Sequence, residues 1–126
     1  MPTTLILGAS RGIGLELARQ SVAARERVIA TARSDAGLAA LRELGVAQAM
    51  RLDVADPASV SGLAWQLDGE KIDTAWHVAG VMCSRADAQQ PPTQPEFDRV
   101  MHANVLGAMQ AIPQVAPLVE AARGRF

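Results

Sequence analysis

The chain has 126 residues, a formal net charge of −1 at pH 7 and a hydrophobic content of 49%, as expected for one globular domain spanning residues 1–126. Its near-neutral charge argues against nucleic acid or an acidic membrane as a partner, and no apolar run approaches the roughly 20 residues that cross a bilayer. The N-terminus has no basic region followed by an apolar signal segment, so we expect a cytoplasmic protein. Cys83 is the single cysteine, so we expect no internal disulfide. We also predict no metal site.

The first predicted elements are a strand, a glycine-rich turn and a helix. Residues Thr3–Leu7 read as a buried strand, a helical pattern covers Gly12–Ala24, and glycines stand at 8, 12 and 14. Glycine lets the backbone reverse sharply and approach a ligand closely. The helix that follows offers free N–H groups and the positive end of its dipole to a phosphate. The spacing G-x-x-x-G-x-G is not the common G-x-G-x-x-G fingerprint, so an ordinary strand–helix corner remains the alternative at this point.

Strands and helices alternate through the next part of the chain. Ser34 caps one predicted helix, and Asp56 followed by Pro57 starts another. Alternating strands and helices imply right-handed crossovers and a parallel sheet, so we predict an α/β, Rossmann-like doubly wound fold with strand order 3-2-1-4. The predicted strands are Arg27–Thr31, Ala47–Leu52 and Ile72–Val78, and the predicted helices are Asp35–Leu44 and 56 to about 67.

The last third of the chain reads as a loop followed by helix. The loop covers Val81–Gln94, and a capping box from Thr93 to Glu96 opens a helix with a broad apolar stripe. Pro113 removes a backbone donor, so we expect a kink or a break there before helix resumes.

Four turns that carry informative residues all follow strand ends. They are Gly8–Gly14, Ala32–Ser34, Asp53–Val54 and Ala79–Gly80. The carboxyl ends of parallel strands meet at one edge, which is where doubly wound folds bind ligands. We therefore expect these four turns to converge on one site.

These residues resemble the short-chain dehydrogenase/reductase family. The turn Gly8–Gly14 matches that family's cofactor loop, Asp53-Val54 resembles its adenine-contacting pair, and Ala79-Gly80 matches the end of its Asn-Asn-Ala-Gly motif. Phe97 through Gly107 resembles its fourth helix, whose asparagine is functional. The resemblance spans the whole chain with its motifs in order, and the divergent C-factor-like members are the most similar.

The resemblance implies specific roles for single residues. Asn104 matches the catalytic asparagine that holds a water in the family's proton relay and kinks its helix, although a core amide bonded to backbone is an open alternative. A small carbonyl or alcohol is the implied substrate. The implied cofactor-binding residues are Gly8, Ser10, Arg11, Gly12, Ile13, Gly14, Arg33, Asp53, Val54, Ala79 and Gly80.

Two departures from the family pattern limit what the resemblance implies. His77 and Val78 stand where the family has Asn-Asn, so backbone or water must tie the fourth strand to its neighbour. The family's catalytic serine and Tyr-x-x-x-Lys come from a fifth strand and helix, and this chain has no tyrosine and one lysine. We therefore expect the cofactor-binding half of an oxidoreductase, truncated before the fifth strand and inactive as it stands. The alternative is a non-catalytic nucleotide-binding or regulatory protein of the same fold.

The end of the second strand bears on the choice of cofactor. A carboxylate there binds the ribose hydroxyls of NAD, whereas an arginine binds the 2′-phosphate of NADP. The strand ends in Ala32-Arg33-Ser34 with no acidic residue at its tip, and Arg11 could approach the same phosphate. We predict NADP rather than NAD, although Asp35 lies just beyond and another orientation of it would reverse the preference.

Two apolar surfaces are expected to lack cover. One is the edge of the fourth strand at residues 75–78, and the other is the stripe on the helix covering 95–112. Uncovered strand edges and apolar patches promote association. We therefore expect either a homo-oligomer formed through one of these surfaces or a fragment of a longer enzyme.

Overall fold

Four parallel strands form one sheet in which, numbered along the chain, the order is third, second, first and fourth. The computed structural model describes residues 1–83 and 89–126. The order confirms the predicted Rossmann-like topology. The elements are β1 Thr3–Leu7, α1 Gly12–Ala23, β2 Arg27–Ala32, α2 Asp35–Leu44, β3 Gln48–Arg51, α3 Pro57–Ser61, α4 Leu63–Gln66, β4 Thr74–His77, α5 Gln94–Met101, the π segment His102–Leu106 and α6 Gly107–Ala121.

Helices cover both faces of the sheet and make two apolar layers. Alternate residues of a strand point to opposite faces, so Leu5 and Leu7 pack with α3, α4 and α6 while Ile6 packs with α1 and α2. All five residues of β1 are buried, as is typical of a central strand in a parallel sheet. The register pairs Leu5 with Ile29 of β2 and with Ala75 of β4.

The helix predicted from Asp56 to about Leu67 is two short helices, α3 and α4. Asp56 caps α3 as expected, because its Oδ1 accepts from the N–H of Ala58 at 3.0 Å. The break follows from Gln114 of α6, whose Nε2 donates to the carbonyl of Val60 at 2.7 Å and whose Oε1 accepts from the N–H of Ala64 at 2.9 Å. These two backbone groups would otherwise bond to each other, and a side chain inserted between them interrupts the helix.

A kink or a break was expected at Pro113, and the break is absent. Helix α6 runs without interruption from Gly107 to Ala121 with Pro113 and Pro117 inside it. Both prolines are exposed, so water can reach the carbonyls that lack a donor. Packing on the sheet favours the continuous helix, because a row of small and branched residues is buried there. That row is Ala103, Gly107, Ala111, Val115 and Val119.

The outer edge of β4 is only partly uncovered, which corrects the expectation of a bare edge at residues 75–78. Arg125 lies parallel to Thr74, donates its N–H to Asp73 at 3.0 Å and accepts from Ala75 at 2.9 Å. The chain reaches this position through Gly124, where a Cβ would overlap the carbonyl oxygen of Asp73. Trp76, the next residue along β4, is 45% exposed.

The apolar stripe predicted on the helix at 95–112 faces outward in the described part of the chain. Its exposed large members are Phe97, Met101, Val105, Met109 and Ile112. Thr93 caps this helix, because its hydroxyl accepts from the N–H of Glu96 at 3.4 Å. The predicted loop Val81–Gln94 lies partly outside the described residues. Across 1–83 and 89–126, no helix combines the length and the hydropathy needed to traverse a bilayer.

Candidate dinucleotide site

A cavity of about 720 Å³ opens at the carboxyl ends of the strands. Its volume lies within the range of small-molecule sites, roughly 300–1,000 Å³. The four predicted turns do converge here, and every predicted site residue except Gly14 lines the cavity. Those residues are Gly8, Ser10, Arg11, Gly12, Ile13, Arg33, Asp53, Val54, Ala79, Gly80 and Asn104.

The start of the glycine turn is fastened to the second strand. The N–H of Gly8 donates to the hydroxyl of buried Thr31 at 2.9 Å, and the N–H of Ala9 donates to the Thr31 carbonyl at 2.8 Å. Gly8 has φ +90°, and a Cβ on it would lie 2.6 Å from the Cα of Ala79. Glycine at this position therefore serves both the backbone conformation and the close approach of the turn that follows β4.

The other two glycines of the turn have different neighbours. Gly12 has φ +57°, and a Cβ built on it meets nothing within 4 Å, so it borders open space at the start of α1. A Cβ on Gly14 would overlap the carbonyl oxygen of Gly8. Gly14 is buried beneath the turn, which explains why it does not line the cavity. Its part in this geometry is to let α1 pack against the turn.

Asp53 and Val54 shape the side of the cavity beyond β3. The Asp53 carboxylate accepts from the N–H of Ala55 at 3.0 Å, and the Asp53 N–H donates to the hydroxyl of Ser59 at 2.9 Å. These bonds fix a tight local turn. A Cβ on Gly107 would lie 2.6 Å from the carbonyl oxygen of Val54, so the start of α6 packs directly against this turn.

The Asn104 side chain forms two hydrogen bonds with the backbone of one residue. Its Oδ1 accepts from the N–H of Val81 at 2.7 Å, and its Nδ2 donates to the carbonyl of Val81 at 2.8 Å. Asn104 lies in the π segment His102–Leu106, a conformation that recurs at functional sites. The amide bonds to backbone as in the alternative interpretation, but Asn104 is exposed and is not a core residue. The same two bonds fix the segment that leaves β4 along the cavity.

The two residues that replace the family's Asn-Asn pair differ in how they are satisfied. The N–H groups of Val78 and Ala79 both donate to the Leu7 carbonyl at 2.9 Å, so backbone ties this end of β4 to β1 as expected. His77 is half-buried, and neither of its ring nitrogens has a hydrogen-bond partner among the described residues. Burial lowers the pKa of His77, which favours the neutral ring.

A second hollow of about 560 Å³ adjoins the first at the tip of β2. Arg11, Arg33 and Ser10 line both hollows. The N-terminus of α2 forms one wall, where the Ser34 hydroxyl accepts from the N–H of Gly37 at 3.1 Å. A Cβ on Gly37 would lie 2.8 Å from the Cβ of Ser10, so α2 and the glycine turn are in direct contact. Asp53 also lines the second hollow, which therefore combines two guanidinium groups and one carboxylate with a helix N-terminus.

Arg51 contacts this region although no sequence motif marks it. It is the last residue of β3 and pairs in register with Ala32 of β2. Its Nη1 donates to the carbonyl of Arg33 at 2.8 Å, and its Nη2 forms an ion pair with Asp35. The register between β2 and β3 could have indicated Arg51, because it brings the end of β3 beside the tip of β2.

Comparisons with known proteins agree with this geometry. A family model described as short chain dehydrogenase matches residues 2–126. The chain is 35% identical over 121 residues to 1-hydroxy-2-glutathionyl-2-methyl-3-butene dehydrogenase of Rhodococcus sp. (strain AD45), covering 94% of this chain and 52% of that protein. It spans about half the length of the curated relatives it matches.

Solved structures show the same similarity. The Pseudomonas aeruginosa RhlG/NADP active-site complex superposes with a TM-score of 0.81 at 28% identity, over 96% of this chain and 49% of that one. A Burkholderia multivorans structure with bound NADP gives a TM-score of 0.78 at 28% identity, over 93% of this chain and 53% of that one. With the match to residues 2–126, these similarities show that the chain belongs to the short-chain dehydrogenase/reductase family.

Proposed function

We propose that residues 1–126 form the NADP(H)-binding part of an oxidoreductase that interconverts a small carbonyl compound and its alcohol. The observation that carries the proposal is the convergence of the four turns on one cavity beside two arginines. The nicotinamide group, when bound, would accept or donate the hydride. The residues of this chain would bind and orient that cofactor.

The glycine turn fits the pyrophosphate of a dinucleotide. Thr31 binds the N–H groups of Gly8 and Ala9, and the N–H groups in the first turn of α1 have no partner within the helix. Gly12 leaves the approach to them open. A phosphate there would meet backbone donors and the positive end of the helix dipole.

The second hollow favours a phosphate over bare ribose hydroxyls. Arg33 and Arg11 both line it, and a guanidinium matches the geometry of a phosphate with paired donors. Asp35, the carboxylate that could select NAD, forms an ion pair with Arg51. This arrangement supports NADP over NAD, and two similar structures contain NADP.

The far end of the cavity would receive the nicotinamide. Ala79, Gly80 and Val81 line it, and Asn104 holds Val81 by two hydrogen bonds. We propose that Asn104 acts here as a positioning residue that fixes this segment against the cofactor. The 126 residues contain no tyrosine, so the proposal assigns them cofactor placement and not the proton donation of the family's tyrosine.

Substitution of Arg33 tests the choice of cofactor. In titrations followed by nicotinamide fluorescence, Arg33→Ala should weaken NADPH binding by roughly 10–100-fold, the value of a hydrogen bond to a charged group. NADH binding should change by less than about threefold, because its ribose lacks the phosphate. Arg42→Ala, an exposed arginine on α2, is the matched control. Equal weakening of both cofactors would refute the assignment of Arg33.

A turnover assay tests whether these residues supply cofactor placement alone. NADPH oxidation would be followed over a panel of small aldehydes and ketones with the chain as it stands. Tight NADPH binding without turnover supports placement of the cofactor alone, which the absence of tyrosine favours. Turnover with any carbonyl would require a proton donor among these residues and would refute the division of roles given above.

A further inference from the structure

We propose that Arg51 is a positioning residue that sets the preference for NADP by neutralising Asp35 and holding the tip of β2. The inference rests on the proposed function, because it concerns the same phosphate-binding hollow. The proposed function is argued from residues that line the two hollows, and Arg51 lines neither of them. The evidence for its role is therefore separate.

One guanidinium makes both contacts. Arg51 donates from Nη1 to the carbonyl of Arg33 at 2.8 Å and pairs through Nη2 with Asp35. Arg33 and Asp35 flank Ser34, the residue that caps α2. Arg51 therefore bridges both sides of the turn that leads from β2 into α2.

The charge of Asp35 explains why this bridge concerns the cofactor. A carboxylate beyond the second strand binds ribose hydroxyls and repels a 2′-phosphate. The side chain of Asp35 is 93% exposed, and its ion pair with Arg51 offsets its charge. With Arg51 in place, the net charge contributed by this pair beside the hollow is close to zero.

The backbone contact acts on the arginine that would bind the phosphate. Fixing the carbonyl of Arg33 restricts the peptide from which its side chain extends toward the hollow. A side chain whose backbone is already ordered loses less entropy when it binds. Loss of Arg51 would therefore weaken phosphate binding in two ways, through the exposed charge of Asp35 and through a looser Arg33.

The same geometry predicts little effect on folding. Arg51 and Asp35 form an exposed ion pair, with side-chain exposures of 51% and 93%, and such pairs contribute little to stability because water and salt screen them. A variant at position 51 should therefore fold normally. Changes in cofactor preference can then be measured without interference from unfolding.

A double-mutant cycle tests the proposal. NADP⁺ and NAD⁺ would be titrated calorimetrically into the wild-type chain, Arg51→Gln, Asp35→Asn and the double variant. The control is Arg42→Gln, which lies on the same helix as Asp35. Arg51→Gln should weaken NADP⁺ by roughly five- to tenfold, the effect of an uncompensated charge within a Debye length of a phosphate. NAD⁺ should change by less than about twofold, because it carries no 2′-phosphate.

The double variant distinguishes a charge effect from a structural one. Adding Asp35→Asn to Arg51→Gln should recover at least half of the lost NADP⁺ affinity on a logarithmic scale. Equal weakening of both cofactors by Arg51→Gln, or no recovery in the double variant, would overturn the role of Arg51. Wild-type protein that binds neither cofactor would refute the proposed function as well. Wild-type protein that prefers NADP⁺ while Arg51→Gln is unchanged would refute this inference alone.

Discussion

Alanine substitutions in the glycine turn should separate folding from cofactor binding. A methyl group on Gly14 would overlap the Gly8 carbonyl oxygen and lie 3.0 Å from the Cα of Ala9. A methyl group on Gly12 meets nothing within 4 Å, but the residue has φ +57°. The first substitution therefore disturbs packing beneath the turn, and the second places a methyl group where we propose that the cofactor approaches.

The expected magnitudes differ between the two sites. Gly14→Ala should cost about 2 kcal/mol or more, because backbone must move to relieve the overlap, as in other overpacked sites. Gly12→Ala should cost roughly 1 kcal/mol, the strain of alanine in a left-handed conformation. Gly45→Ala is the matched control, since Gly45 has φ +94°, ends α2 and has its nearest neighbour, Val22, at 3.8 Å.

Urea denaturation and NADP⁺ titration together give the test. Gly12→Ala and Gly45→Ala should lose similar amounts of unfolding free energy, while only Gly12→Ala loses NADP⁺ affinity, by at least about tenfold from the steric block. Gly14→Ala should be the least stable of the three. The reasoning fails if Gly12→Ala binds NADP⁺ as the wild type does, or if Gly14→Ala is as stable as Gly12→Ala.

Two further predictions concern His77 and Asn104. Burial lowers the pKa of His77, so the unfolded chain takes up this proton first and stability should fall as the pH drops below about 6.5, by at most ~1.4 kcal/mol per pH unit. In denaturation curves between pH 7 and 5.5, His77→Gln should remove this loss of stability. His102→Gln, at an exposed histidine, should retain the loss. Identical pH dependence in the wild type and both variants would contradict the assignment of the loss to His77. Asn104→Ala releases both backbone groups of Val81 and should cost about 1–2 kcal/mol of stability and weaken NADP⁺ binding in the same titration. Unchanged binding would show that Asn104 does not position the cofactor.

The sequence was sufficient for the sheet and for most of the candidate site. Strand order and the convergence of turns follow from the alternation of strands with helices, because parallel strands joined by right-handed crossovers bring their carboxyl ends to one edge. Caps such as Ser34 and Asp56 were predictable because they satisfy N–H groups a few residues away. These are local signals or consequences of topology.

The features that were not predicted depend on contacts between distant residues. Gln114 interrupts the helix at Val60 through bonds that span 50 and 54 residues, and nothing in the local pattern around Val60 indicates them. Arg125 covers part of β4 because Gly124 permits a close turn. Arg51 reaches Arg33 and Asp35 across a strand pair. In each case a partner remote in sequence determines the result.

For the helix that includes the π segment, the outward face was predicted and the buried face was not. The large apolar residues are exposed as expected, and self-association through them stays a prediction. The buried face is the row Ala103, Gly107, Ala111, Val115 and Val119 at intervals of four. Small residues allow the helix to approach Val54 closely. The interval of four between these residues was the sequence signal for the packed face. Burial of that face on the sheet also explains why Pro113 does not break the helix.

The central claim is that the turns at the carboxyl edge of the sheet bind the cofactor together. Amide chemical shifts, recorded by NMR while NADP⁺ is added, report this directly. We predict that the largest shifts occur in four segments, 8–14, 32–34, 53–54 and 79–81, and saturate at one NADP⁺ per chain. Saturable shifts confined to other parts of the chain, or none at millimolar NADP⁺, would contradict it.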